Sequence, residues 1–257
     1  MTTDTPSATG SIRLPRHEAE WLIRGALAAA STDDVTPMLR AVHVTVAGGR
    51  VTATATDRYR VHQLYVTIDD AETTGQFLVD VQHAKRLLRS WHTPAALYRE
   101  QVVVLSWTDP EPLPKGHTGR IPRSACGTIT FEILADGNDP DADRLTYEVA
   151  QVRLTTPGFF DKLTTLFANV ADDVDGDGDV LRDISLDTKL IAATKWLNTD
   201  SFAPMRFTIP RKGATKAKPL IITNGSGTAR ALIQPSLLHS AVPYGEATGT
   251  GDHDAQS

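Results

Sequence analysis

A chain of 257 residues with 40% apolar and 22% charged side chains can bury a real core, as one large domain or two of ordinary size. A single cysteine, Cys126, excludes an internal disulfide framework and fits a reducing cytoplasm. The formal net charge of −5 argues against a protein that coats nucleic acid with its whole surface, but leaves room for a local basic face.

No apolar run approaches membrane-spanning length, and residues 1–10 lack the charged-then-apolar pattern of a signal peptide, so no membrane partner is expected. Residues 1–10 and 241–257 have no apolar period and read as unstructured tails.

In chain order, residues 11–14 form a strand candidate, and Pro15 opens a helix through about Ala30 with Ile23, Ala26, Leu27 and Ala30 on its buried face. Residues 38–47 and 50–55 alternate around Gly48-Gly49, a hairpin signature, and residues 61–68 continue as strand. A strand over 77–80 feeds a second helix, about 81–91. Strands over 101–107 and 128–134 flank a Pro/Gly-rich loop. Thr156-Pro157 starts a third helix with the stripe Phe160, Leu163, Phe167 and Val170, and an Asp/Gly-rich stretch follows. A strand over 181–186, a helix over 187–197 and strands over 205–209, 219–223 and 229–233 complete the run.

The two halves echo each other. Residues 77–91 (FLVDVQHAKRLLRSW) and 183–197 (DISLDTKLIAATKWL) each read as strand, Asp, helix and a late Trp, followed by paired strands. The second copy is shorter, because the hairpin corresponding to residues 38–68 is missing or reduced.

Three stretches resemble the bacterial DNA sliding clamp, the beta subunit of DNA polymerase III. Residues 51–66 (VTATATDRYRVHQLYV), preceded by the hairpin over 37–51, are similar to the clamp's strand ending in Ala-Thr-Asp-x-x-Arg-Leu. Residues 129–145 (ITFEILADGNDPDADRL) resemble the strand and interdomain connector, and residues 218–238 the C-terminal strand pair. The resemblance implies an α+β DNA-clamp fold of repeated helix-plus-antiparallel-sheet domains, forming a ring with helices inside. It implies one full domain over 11–148, like the family's middle domain, and a reduced one over 149–240, like its last. Such short forms are associated with phages.

The function this implies is a non-catalytic processivity factor without cofactor or metal, acting in the cytoplasm on the nucleoid. Its expected partners are double-stranded DNA, held without regard to sequence, and a polymerase and clamp loader bound through short linear peptides. Its other partner is itself, in a trimeric or dimeric ring. The alternative is a clamp-derived adaptor that binds partner peptides without encircling DNA.

The residues themselves point to the helix over 81–91 as DNA-facing: Ala84, Leu87, Leu88 and Trp91 share one face, while Lys85, Arg86 and Arg89 occupy the other. Arg24, Lys189 and Lys195 are further candidates, with Arg16 and Lys162 behind them. By resemblance, Thr56, Tyr59, Arg60 and Val61 form one wall of a peptide-binding cleft, and Leu232, Ile233, Gln234 and Pro235 the other. Arg58-Tyr59 replaces a common Gly-His there, and Gln234 stands where Met is usual.

Other constellations fail on chemistry. The run DVDGDGD over 173–179 places Ile184 where a calcium loop needs a bidentate Glu. The histidines lack zinc-ligand spacing, and no phosphate-binding loop or nucleophile elbow occurs. Asp57 has no second carboxylate beside it and reads as a strand-end residue. The basic run RKGATKAK over 211–218 reads as a loop between strands.

Overall fold

The computed structural model describes residues 9–91, 101–113, 121–135, 144–156, 158–172, 186–199, 203–209 and 219–235. The expected tails beyond residue 9 and residue 240, the runs 173–179 and 211–218, and all but the last residue of the strand expected over 181–186 lie outside them.

The first module begins with β1 (Gly10–Pro15), α1 (Arg16–Leu27) and a 3-10 turn over Pro37–Arg40. Then come β2 (Ala41–Ala47), β3 (Arg50–Thr56), β4 (Arg60–Thr67) and β5 (Gly75–Asp80). It ends with α2 (Val81–Ser90), β6 (Val102–Trp107), β7 (Thr128–Leu134) and β8 (Arg144–Ala150). The second module has α3 (Phe159–Asp172), α4 (Thr188–Ala193), a 3-10 turn over Thr194–Leu197, β9 (Met205–Thr208), β10 (Leu220–Asn224) and β11 (Ala229–Ile233).

Local chemistry explains these boundaries. Gly48 and Gly49 carry φ of 56° and 71°, the left-handed pair that a tight hairpin requires and that side chains resist. Asp80 caps α2 by accepting from the Gln82 amide at 2.7 Å, and Asp187 caps α4 through the Lys189 amide at the same 2.7 Å. The echo between the halves is therefore physical at the caps, but it fails at the tryptophans. Trp91 is fully buried, whereas Trp196 is 38% exposed and Leu197 takes the core position.

All strand pairs are antiparallel. One sheet has the order β1-β6-β7-β8 and the other β5-β2-β3-β4-β11-β10-β9. β8 runs back along β7, from Thr128 opposite Ala150 to Leu134 opposite Arg144. The first module thus extends to Ala150, and residues 144–150, read partly as connector, belong to its sheet. The seven-strand sheet passes from one module to the other at β4–β11, where Val61 faces Leu232. One continuous core joins both sheets to α1, α2 and the 194–197 turn, with Trp91, Trp107, Phe77 and Phe131 among its fully buried side chains.

Among the described residues α1, α2 and α4 pack on the main core. α3 lies on the other face of the seven-strand sheet, and strand alternation shows why. Val61, Leu232 and Ile221 point away from α1, and Phe167 packs on all three. At the far end Phe160 packs with Met38, Leu39, Ala41 and Leu78. Within the stripe Phe160 and Phe167 are buried and Leu163 is half-buried between them; the Val170 side chain lies outside what is described.

Candidate DNA-facing and partner-binding surfaces

α2 separates its two faces cleanly. Val81, Ala84 and Leu87 are buried, and Trp91 closes the helix edge-on to Phe131 at 6.3 Å. Lys85 is half-buried along its stem, while Arg86 and Arg89 are exposed. α1 packs between α2 and the 194–197 turn. On this layer Arg24 pairs with Glu20 one turn back and holds its guanidinium 5.3 Å from the centre of the Trp196 ring. Lys195 Nζ sits 4.8 Å from the same ring, and Lys189 is exposed at the start of α4. The six basic candidates thus fall on four helical segments, α1, α2, α4 and the 194–197 turn, with Trp196 an aromatic member that sequence reading missed.

Two secondary candidates fall elsewhere. Arg16 is buried, donating to Gln101 Oε1 and to the Trp91 carbonyl; it ties the start of α1 to the end of α2 and offers no charge to a surface. Lys162 is exposed on α3, across the sheet from the other helices.

The second set divides by strand phase. Thr56, Val61 and Leu232 share one face, where β3, β4 and β11 lie side by side. Val61 is 6% exposed and Leu232 2%. Thr56 Oγ1 donates to the Arg60 carbonyl at 2.7 Å and accepts from the Arg58 amide at 3.1 Å. Ile233 points the other way, fully buried in the main core with Leu220 and Leu64, so it cannot line a cleft with Leu232. Arg60 also turns aside: its Nε meets Asp57 Oδ2 at 3.0 Å and it reaches the Lys189 carbonyl at 3.4 Å. Tyr59 is 66% exposed, Gln234 is exposed with its amide 2.8 Å from the Tyr59 carbonyl, and Pro235 is buried. The two expected walls are thus adjacent strands of one sheet, and α3 covers their apolar side chains.

Beside α3, a hollow of about 450 Å³ is lined by residues including His43, Arg50, Gln63, Tyr65, Asp161 and Arg230. Gln63 organises it: its Nε2 donates to Thr54 and Thr164 at 3.3 and 3.1 Å, and its Oε1 accepts from Arg230 at 2.9 and 2.6 Å. Burial holds the His43 imidazole below its usual pKa, although Gln76 and Asp161 oppose this, and the ring stacks on Phe160 at 4.1 Å. Burial also lowers the Arg230 pKa, with Tyr65 nearby favouring the charge and Arg50 opposing it. The period-2 pattern carried the signal for this polar face, since residues 52, 54, 63 and 65 alternate with the apolar core positions.

Among the described residues no cluster of three or more His, Cys, Asp or Glu could hold a metal, and no helix is long and apolar enough to cross a membrane. Asp57 accepts from the Tyr59 and Arg60 amides at 3.0 Å each, which places it as the organiser of the β3–β4 turn.

No family model matches the sequence, nor does any curated protein. Solved structures do. A protein assigned as a DNA polymerase III beta subunit from Eubacterium rectale aligns with a TM-score of 0.61 at 11% identity, over 90% of this chain and 67% of its own. A DNA polymerase III subunit beta from Borrelia burgdorferi gives 0.57 at 11%, over 93% and 65%, and a DNA polymerase sliding clamp from Pseudomonas aeruginosa 0.55 at 12%, over 93% and 70%. The chain spans about two thirds of the length of these proteins, and at such identity the likeness is one of architecture: the protein has the α+β fold of the DNA sliding clamps.

Proposed function

We propose that this chain is a non-catalytic processivity factor, a short sliding clamp that encircles duplex DNA in the cytoplasm and tethers a polymerase to it. The observation that carries the reading is the coincidence of clamp architecture with a basic helical layer in an acidic protein. Lys85, Arg86, Arg89, Lys189 and Lys195 all lie on α2 and α4 or the turn after it, the helices grouped around α1. Arg24 contributes less because Glu20 offsets its charge. Contacts from such a layer go to phosphates and carry no base information, which is what sliding needs.

The working form on this reading is a closed homo-oligomer. β8 and β9 are edge strands, and Leu145 and Phe207 are 52% and 50% exposed on them. Pairing them head to tail between copies would remove both edges. The small mass of a module and a half per chain favours a trimer over a dimer. Loader and polymerase would engage the Val61–Leu232 face through short peptides anchored by a few apolar side chains.

The shortened second module favours one competing reading, an adaptor that no longer encircles DNA. Light scattering at micromolar concentration separates the two, since a strict monomer overturns the ring. The charge test is retention on circular DNA. Changing Lys85, Arg86 and Arg89 together to Ala should leave folding intact and flatten the salt dependence by up to about 3 units of log–log slope per protomer. Unchanged retention would remove α2 from the DNA-facing layer.

A further inference from the structure

The face that would receive partner peptides is already occupied by a segment of the same chain. α3 lays Phe160, Leu163 and Phe167 along the sheet at i, i+3 and i+7, the spacing with which an amphipathic helix fills a groove. Phe167 is 1% exposed and closes over Val61, Ile221 and Leu232. The rest of the helix is lightly held: Asp161, Lys162, Thr164, Thr165, Ala168 and Asn169 are all exposed, and Leu166 is 37% exposed. A helix fixed by one stripe belongs to the low-stability end of a fold, where segments open without global unfolding.

Among the described residues α3 satisfies the apolar part of this face but gives its two guanidiniums no paired carboxylate. Arg230 stacks on the Phe167 ring at 4.2 Å and Arg50 on the Tyr65 ring at 4.0 Å, yet among the described residues neither guanidinium meets a carboxylate. We propose that α3 is a displaceable internal occupant of the partner surface, and that the partner class which displaces it is a peptide with the same apolar anchors plus an acidic residue for Arg230 and Arg50. The inference rests on reading the Val61–Leu232 face as the partner surface. It adds a regulatory consequence: peptide binding costs the undocking of α3, so the surface is closed to weakly apolar sequences and opens to those that also supply charge.

The test uses the full-length chain and, as probe, a fluorescein-labelled synthetic peptide of residues 158–172. Phe167→Ala should bind the probe at least tenfold more tightly than wild type, because the internal competitor is weakened while the receiving face is unchanged. Gln63 Nε2 and Thr164 Oγ1 lie 3.1 Å apart, so Gln63→Cys with Thr164→Cys in a Cys126→Ser background, bridged by a disulfide-containing bis-maleimide that spans the two positions, can lock α3 down. The cross-linked protein should bind no probe and cleavage of the linker by dithiothreitol should restore binding, a control that does not depend on how well Phe167→Ala folds. A probe carrying Thr164→Asp should bind Phe167→Ala about fivefold more tightly than the plain probe, with the gain lost in high salt. Equal probe binding by wild type, Phe167→Ala and the cross-linked protein overturns displacement, and no gain from the acidic probe overturns the partner class. Because DNA retention is read separately, loss of the clamp reading leaves these outcomes distinguishable.

Discussion

The two faces of the seven-strand sheet are made by alternate residues of the same strands, yet they are different materials. Toward α1 the strands present Val42, Val44, Ala53, Ala55, Leu64, Ile222, Ala231 and Ile233, all buried, with His62 and Asn224 as buried polar exceptions. Toward α3 they present His43, Thr45, Thr52, Thr54, Gln63, Tyr65 and Arg230, with apolar patches at the two ends. The first face is sealed core that fixes one module against the other; the second is an adaptable surface on which a helix rests. The difference teaches that the modules meet across both sides of the sheet but unequally: one side is continuous core, and the other is crossed by a single helix resting on apolar patches at its ends.

The largest effect is expected where the sealed face is tightest. A Cβ on Gly25 would lie 2.3 Å from Leu64 Cδ2 and 2.9 Å from the Trp196 carbonyl oxygen, so α1 and the 194–197 turn touch backbone to backbone there. Leu64 is fully buried and has no room to withdraw. Gly25→Ala should therefore cost about 3 kcal/mol net of its gain in helix propensity, read from denaturant midpoints. Thr45→Val, facing the open hollow on the other side, should stay within about 0.5 kcal/mol. Comparable losses from both would break the contrast between the faces.

His62 gives the sealed face a pH signature of similar size. It is fully buried, its Nδ1 donates to the Gly25 carbonyl at 2.8 Å, and burial pushes its pKa down to about 4. Among the described residues Nε2 meets no hydrogen-bond partner, as suits a neutral ring. Below pH 6.5 the unfolded chain takes up a proton that the native chain refuses until about pH 4. Stability is therefore fully present above pH 6.5 and falls as pH drops through that window, by about 3 kcal/mol. His43, lowered for the same reason on the other face, adds in the same direction. Replacing His62 with Asn should remove most of the slope between pH 6.5 and 4, measured as urea midpoint against pH. A slope that survives would place the acid sensitivity elsewhere.

Much of this arrangement was legible in the sequence. The Gly-Gly hairpin, the Asp caps, the split faces of α2 and the apolar stripe of α3 all follow from local chemistry, and each element formed close to where its pattern put it. Periodicity reveals that Phe160, Leu163 and Phe167 share the packed side of α3 but not which surface it packs on, so the crossing of α3 to the second face was invisible. Strand phase misled in the same way: Leu232 and Ile233 look equivalent as residues, and only the register with Val61 and Leu220 sends them to opposite sides. The connector reading of residues 129–145 comes from the resemblance and cuts across β8, whose own period-2 pattern, Leu145, Tyr147 and Val149 alternating with Arg144, Thr146 and Glu148, announces an edge strand.

The smallest expected effect tests the turn from which β4 enters both faces. Arg58 holds φ of 79°, left-handed backbone that a side-chain-bearing residue adopts at a cost of about 1 kcal/mol. The turn is nonetheless kept, because Thr56 Oγ1 accepts from the Arg58 amide at 3.1 Å, Asp57 accepts from the next two amides, and the Arg58 guanidinium donates to Thr36 Oγ1 at 2.8 Å. Arg58→Gly relieves the backbone but gives up the exposed Thr36 contact and raises the entropy of the unfolded chain. The net should be a gain of about 0.5 kcal/mol. Arg58→Ala keeps the strain and loses the contact, so it should cost about 0.5 kcal/mol. Opposite signs for the two variants in urea unfolding identify the backbone as the source. Equal losses would mean that the Arg58–Thr36 contact, rather than turn geometry, sets the course of β4 into the sheet.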